Sequence, residues 1–182
     1  MINFNSYPKI IDEIYKDNPE AKEILLKHSF SVAKKALSII DKKKLDLDKK
    51  FIFEGAMLHD IGIIGTDAKQ IYCYGDRPYL CHGIIGAKLL EGTKFEKYKY
   101  ICLNHTGVGL SKDEVVKLGI GTFAMEPRDL SEKLITYVDN FYSKSNVKTL
   151  QVELQIDDVI RRLSRFGKEK VKIFYEFHAL FS

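Results

Sequence analysis

The sequence predicts an all-α fold, in a single domain spanning residues 1–182, on three observations. Apolar residues recur at helical spacing in one segment after another. Polar caps and glycine stops bracket those segments, and no stretch shows convincing strand alternation. A chain of 182 residues is the natural size for one domain and long enough to bury a core. Hydrophobic content of 45% and charged content of 30% suit a water-soluble globule. Every apolar run is broken by Lys, Glu or Asp well short of a membrane span.

Each element follows from local signals. Residues 8–16 predict a short helix, and Asn18-Pro19-Glu20 starts a longer one, with proline in its tolerated first-turn position. From Glu20 to Asp41, Ile24, Leu25, Val32, Ala36, Leu37, Ile39 and Ile40 keep helical spacing, and His28 shares the face of Val32. The run Asp41-Lys42-Lys43-Lys44 reads as a solvated helix end rather than a nucleic-acid patch. Asp46-Leu47-Asp48 predicts a turn and cap leading into a helix over 49–60, with Gly62 placed to end it. Residues 63–80 predict an irregular loop whose tyrosines, Tyr72, Tyr74 and Tyr79, serve either lid packing or base stacking. Helices follow over 81–92, ended by Gly92, and over 94–105, ended at Gly107. A glycine-rich segment over 107–130 holds a short helix at 111–118 and is placed to cover a site. Leu130-Ser131 opens a helix carrying Asp139. Two amphipathic helices within about 149–181 close the chain, and their apolar faces either pack on the core or pair in a homodimer. His178, in the last of them, reads as structural.

Several function classes are set aside by composition. Cys73, Cys81 and Cys102 form no Cys-x-x-Cys pair, which argues against a disulfide framework or a thiolate zinc site. Residues Met1 to Pro8 lack a basic region followed by an apolar stretch, so a cytoplasmic location is expected. A net charge of +4, with lysines scattered among acids, speaks against nucleic acid and membrane surfaces but favours an anionic small molecule through steering. There is no Gly-x-Ser-x-Gly elbow and no Walker-type phosphate loop.

What remains is a set of imidazoles and carboxylates in apolar helical settings. His59 and Asp60 sit side by side after an apolar run, and His28, His82, His105 and Asp139 recur in similar surroundings. Desolvating such groups is costly unless a cation compensates them. His105 alone could instead cap a helix end, where a cation is favoured.

The order His28, His59-Asp60, His82, His105, Asp139 resembles the HD-domain superfamily of metal-dependent phosphohydrolases, of the His-Asp-Ile-Gly type, over roughly residues 20–145. The resemblance implies an HD-domain helical bundle in which His28, His59, Asp60 and Asp139 bind metal. The two intermediate histidines resemble the family's dinuclear branch. There His28, His59 and Asp139 hold one ion, His82 and His105 the other, and Asp60 bridges them. Neutral imidazole and carboxylate without thiolate suit a divalent transition metal, one or two ions of Fe, Mn, Zn, Co or Ni. The implied activity is hydrolysis of a small phosphorylated metabolite or nucleotide by a metal-activated hydroxide, with His59 and Asp60 at the catalytic centre. Arg77, Arg128 and Lys144 are candidates to hold phosphate oxygens. The branch that hydrolyses cyclic dinucleotides carries lysine where this chain has Ile63, and its Gly-Tyr-Pro signature is absent here. The His105-Thr106-Gly107 stretch is more similar to bacterial diadenosine-tetraphosphate hydrolases. Three alternatives stay open: a mononuclear enzyme in which His82 and His105 contact phosphate, a catalytically silent nucleotide-binding or metal-sensing module, and a di-iron oxygenase of the same fold.

Overall fold

The computed structural model describes residues 7–144 and 149–182, so the first six residues of the leader reading lie outside it. Its α-helices are α1 (Ile10–Ile14), α2 (Pro19–Lys43), α3 (Lys49–Leu58), α4 (His82–Leu90), α5 (Lys99–Asn104), α6 (Lys112–Lys117), α7 (Leu130–Asp139), α8 (Ile156–Ser164) and α9 (Lys168–Phe181). The fold is all-α, as expected, apart from one two-residue hairpin. No helix among the described residues is long and apolar enough to cross a membrane.

Helix α2 is the backbone of the assembly. Asn18 caps it by accepting the Ala21 amide, Pro19 takes its first position, and Lys44 closes it in a left-handed turn at φ 54°. Its inner stripe of Ala21, Ile24, Leu25, His28, Val32, Ala36 and Ile40 packs on α3 and α7. Asp48 caps α3 by accepting the amides of Lys50 and Phe51. Tyr15 is fully buried, and its hydroxyl donates to the Ile61 carbonyl at 2.8 Å, fixing the turn that follows the doublet. Each large side chain buried here contributes about 1.5–3 kcal/mol of apolar transfer, so the stripe is what makes these helices persist.

Three expectations need correction. Gly62 does not end α3. That helix stops at Leu58, and Gly62 lies inside a 3-10 turn, Ile61–Gly65, where its bare Cα lets the first turn of α4 pack close. The segment 63–80 is not wholly irregular, because Asp67–Ala68 and Cys73–Tyr74 pair antiparallel. Strands of two residues are too short to leave an alternation. The segment expected as one helix over 94–105 begins as a 3-10 turn, Glu96–Tyr98, before α5. Gly92, at φ 71°, does stand just past the end of α4.

The glycine-rich segment is held against the C-terminal helices. Leu110 and Met125 exchange backbone hydrogen bonds at 2.7 and 2.8 Å across its neck. Lys170 of α9, 8% exposed, donates to the Gly109 carbonyl at 2.7 Å and to Glu114 of α6 at 2.6 Å. Phe174, Phe177 and Phe181 turn inward, and Phe174 and Phe181 lie against Tyr137. His178 accepts from or donates to the Tyr137 hydroxyl at 2.9 Å, a packing role. The three cysteines are buried free thiols.

Candidate metal centre

Four helix ends and one helix face converge on a single point. His28 comes from the inner stripe of α2, His59 and Asp60 directly follow α3, His82 opens α4, His105 follows α5, and Asp139 is the last residue of α7. All but Asp139 are at most 4% exposed, and the Asp139 side chain keeps 15% exposure towards a cavity. The chain thus brings together the six residues that the sequence singles out.

Asp60 sits between two groups of donors. Its Oδ2 lies 3.2 Å from His28 Nε2 and 3.0 Å from His59 Nε2, and Asp139 Oδ1 approaches the same two nitrogens at 2.9 and 3.4 Å. Its Oδ1 faces the other way, 3.4 Å from His82 Nε2 and 3.3 Å from His105 Nε2. The ligand atoms of His28, His59, Asp60 and Asp139 form one cluster within 4.8 Å, those of Asp60, His82 and His105 another, and Asp60 belongs to both.

The hydrogen bonds behind these atoms fix their chemistry. Nδ1 of His59 contacts the Ala56 carbonyl, Nδ1 of His82 that of Tyr79, and Nδ1 of His105 that of Cys102, each at 2.7 Å. A carbonyl only accepts, so each Nδ1 carries a proton, which leaves Nε2 as the nitrogen free to offer a lone pair once it gives up any proton of its own. The Nε2 atoms of His82 and His105 are nevertheless 3.0 Å apart, and those of His28 and His59 3.2 Å. Two lone pairs at that distance repel unless a proton or cation lies between them. Both oxygens of Asp60 are fully buried, and its nearest cation is the Lys144 ammonium on the Oδ2 side, so the Oδ1 side is left facing two imidazoles alone, a costly setting for a carboxylate. The donor set therefore fits a divalent metal.

The protein's own charges already compensate part of this cost. Burial would raise Asp60 and Asp139, yet the positive groups of His59 and Lys144 hold both well below the ordinary carboxylate range. Burial would depress His59, but the two carboxylates outweigh it and raise the imidazole to about 10; a metal held at Nε2 would have to displace that proton. His82 goes the other way. Burial and the neighbouring His105 bring it down to about 4, so it is a neutral imidazole at physiological pH.

A family profile described as HD domain matches residues 25–143. The chain belongs to the HD-domain family. Its HD domain resembles an uncharacterised protein of Methanocaldococcus jannaschii, 29% identical over 156 residues, which cover 83% of this chain and 82% of that protein. It also resembles two proteins named tRNA (cytidine(56)-2'-O)-methyltransferase. The one from Thermoplasma volcanium is 27% identical over 92% of this chain, and the one from Picrophilus torridus is 27% identical over 72%. The chain spans only 45% and 35% of those two proteins. No solved structure matches it. HD domains are in general metal-dependent hydrolases, and the His-Asp cluster here fits that description.

The three basic candidates fall in different places. Lys144 enters the site: its Nζ lies 2.5 Å from Asp60 Oδ2, 3.1 Å from His28 Nε2 and 3.7 Å from Asp139 Oδ1. Arg77 is exposed beyond the hairpin, bridged to Thr66, and does not line the cavity over the His-Asp cluster. Arg128 is engaged elsewhere. Its guanidinium pairs with the buried Glu132 at 2.6 Å and stacks on Tyr100, 3.4 Å from the ring centroid. Glu132 also accepts from Asn104, so Arg128 neutralises a buried acid. Sequence reasoning missed Asn140, Arg162 and Phe166. Asn140 bonds the Gly107 carbonyl at 2.5 Å and Arg162 reaches the Asn140 carbonyl at 2.5 Å, and all three line the cavity. They carried no signal beyond an amphipathic helix. Tyr79, left between packing and stacking, stacks on His82 at 4.8 Å and 27°.

Proposed function

We propose that this chain is a phosphohydrolase dependent on divalent transition metal, acting on a small phosphorylated metabolite of nucleotide type. The observation that carries this reading is the division of Asp60, one oxygen towards His28 and His59 and the other towards His82 and His105. His28, His59, Asp60 and Asp139 would hold one ion, and Asp60, His82 and His105 a second. Ions so held would supply an activated water and charge neutralisation for in-line displacement at a phosphoryl group. The chain's residues do the rest. The carbonyls of Ala56, Tyr79 and Cys102 lock the imidazoles in the ligand tautomer. His28, His59, Asp60, His82 and His105 are themselves buried, so bulk water is excluded around them and every charge interaction among them is strengthened. A cavity of about 720 Å³ opens onto His82, His105, Asp139 and Lys144, and admits the ester from the side on which Asp139 is exposed.

Metal analysis of the purified protein, followed by a screen of phosphomonoesters and phosphodiesters, tests the reading. RNA-terminal phosphates belong in the screen because two relatives are named as tRNA methyltransferases. About two equivalents of one transition metal with phosphate release is the expected result. No metal after reconstitution, or no turnover of any ester by the loaded protein, would overturn it.

Lys144 has two roles in this reading, and one substitution separates them. Its ammonium stands among the first group of ligands, so it opposes a cation there, and from the same position it can reach a phosphate oxygen. Lys144→Met is expected to tighten metal binding about tenfold by removing a like charge. The same change should lower kcat/KM on the order of 10²-fold by removing an electrostatic clamp. Calorimetric metal titration and steady-state kinetics report the two effects independently. Weaker metal binding, or unchanged kcat/KM, would remove Lys144 from the site chemistry.

A further inference from the structure

The cavity over the His-Asp cluster is lined by the cations Lys117, Lys144, Arg162 and Lys170. Two of them are already matched: Lys144 lies against Asp60 and Asp139, and Lys170 pairs with Glu114 at 2.6 Å. Lys117 is exposed to water on α6. Arg162, in the last turn of α8, is half-buried, and no carboxylate of the described residues lies within ion-pair distance of its guanidinium. The remaining positions, 1–6 and 145–148, hold neither Asp nor Glu.

What Arg162 does touch places it beside the cluster. One terminal nitrogen donates to the Asn140 carbonyl at 2.5 Å and faces the Asn140 side-chain oxygen at 3.4 Å. Asn140 directly follows Asp139, and its own amide nitrogen donates to the carbonyl of Thr136 at 2.8 Å and to that of Gly107, two residues after His105, at 2.5 Å. Arg162 is thus anchored to the peptide next to Asp139 and, through the buried Asn140, to the peptide that follows His105. This anchoring uses one end of a fork that carries five N–H donors. A neutral carbonyl offsets little of a half-buried positive charge, so the rest of the guanidinium suits an anion that a ligand brings. Arg162 also lies beyond residue 143, where the HD match ends, so it comes from the C-terminal helices rather than from the matched core.

We propose that Arg162 is the anion-holding residue of this site, its remaining N–H groups gripping two oxygens of the substrate's phosphoryl group. It takes the part that the sequence suggested for Arg77 and Arg128. This rests on the phosphohydrolase reading and deepens it. A planar fork meets a phosphoryl group in bidentate geometry, and a fork already held by Asn140 loses little freedom on binding.

The test titrates inorganic phosphate calorimetrically into the metal-loaded protein and measures steady-state kinetics on an ester, in wild type, Arg162→Met and Arg162→Lys. Arg162→Met should weaken phosphate binding and raise KM by roughly 10–100-fold, the worth of hydrogen bonds to a charged group, with kcat changed far less. Arg162→Lys keeps a positive charge at the end of α7 without the fork and should recover only part of that loss. Elemental analysis and thermal melts on the same preparations read out a purely structural role. Phosphate binding that survives Arg162→Met, full recovery by lysine, or a fall in metal content that accounts for the whole loss would overturn the assignment. If Arg162→Met does not fold, the lysine variant decides: weakened phosphate binding at full metal content supports the assignment, and wild-type binding overturns it. Should no ester turn over, the phosphohydrolase reading fails, and the phosphate titration decides the role of Arg162 alone.

Discussion

Replacing Asp60 with asparagine is expected to lower phosphoester turnover by about 10³-fold or more and to strip most of the bound metal from a protein that stays folded. The amide keeps the shape of the carboxylate but offers one oxygen in place of two and carries no charge. Asp60 Oδ2 faces His28 and His59 while Oδ1 faces His82 and His105, so one half of the site loses its shared ligand whichever way the amide turns. The substitution also leaves the buried Lys144 ammonium with Asp139 as its remaining carboxylate, at 3.7 Å. Breaking a buried pair costs roughly 3–5 kcal/mol, so metal-free Asp60→Asn should also melt at a lower temperature than the metal-free parent. Circular dichroism, elemental analysis and initial rates on one preparation separate these effects. Undiminished turnover in a folded variant would sink the assignment of Asp60. Metal retained with turnover lost would move Asp60 from holding the ions to contacting the substrate.

The six clustered side chains were legible in the sequence because they are chemically out of place. A histidine on an apolar helical stripe, such as His28 beside Leu25 and Val32, is visible without any knowledge of its partner. The same holds for Asp139, which follows Ile135 and Val138 on α7. Helix starts were legible for a related reason: Asn18, Asp48 and Ser111 each satisfy amides within three residues of themselves. What depended on a distant partner was not legible. Arg128 looks like a loop cation until Glu132 and Tyr100 are seen to hold it. The hairpin at 67–74 is set by a few backbone hydrogen bonds that leave no pattern in side-chain polarity.

Gly62 is the sharpest instance, and it yields the second large prediction. Gly62→Ala is expected to destabilise the protein by about 3 kcal/mol, at the upper end of overpacking costs, although alanine is otherwise the mildest of substitutions. A methyl group on Gly62 would stand inside contact distance of the His82 carbonyl and the Gly86 amide, both backbone atoms of the first turn of α4. Neither can swing aside as a side chain could. Instead α4 must shift outward, and on its other side Gly83 is already packed on α5, where a Cβ would lie 2.5 Å from the Cys102 carbonyl. His82 is the first residue of α4, so the shift would draw its Nε2 away from Asp60 and His105 while leaving His28, His59 and Asp139 where they are. The variant should therefore lose affinity for its second metal equivalent more than for its first, besides a lowered melting temperature. Denaturant unfolding and metal titration measure the two losses. Equal weakening of both equivalents would mean that the crossing of α4 over the doublet turn serves stability alone; a selective loss would tie this glycine to the metal centre, through the position of one backbone.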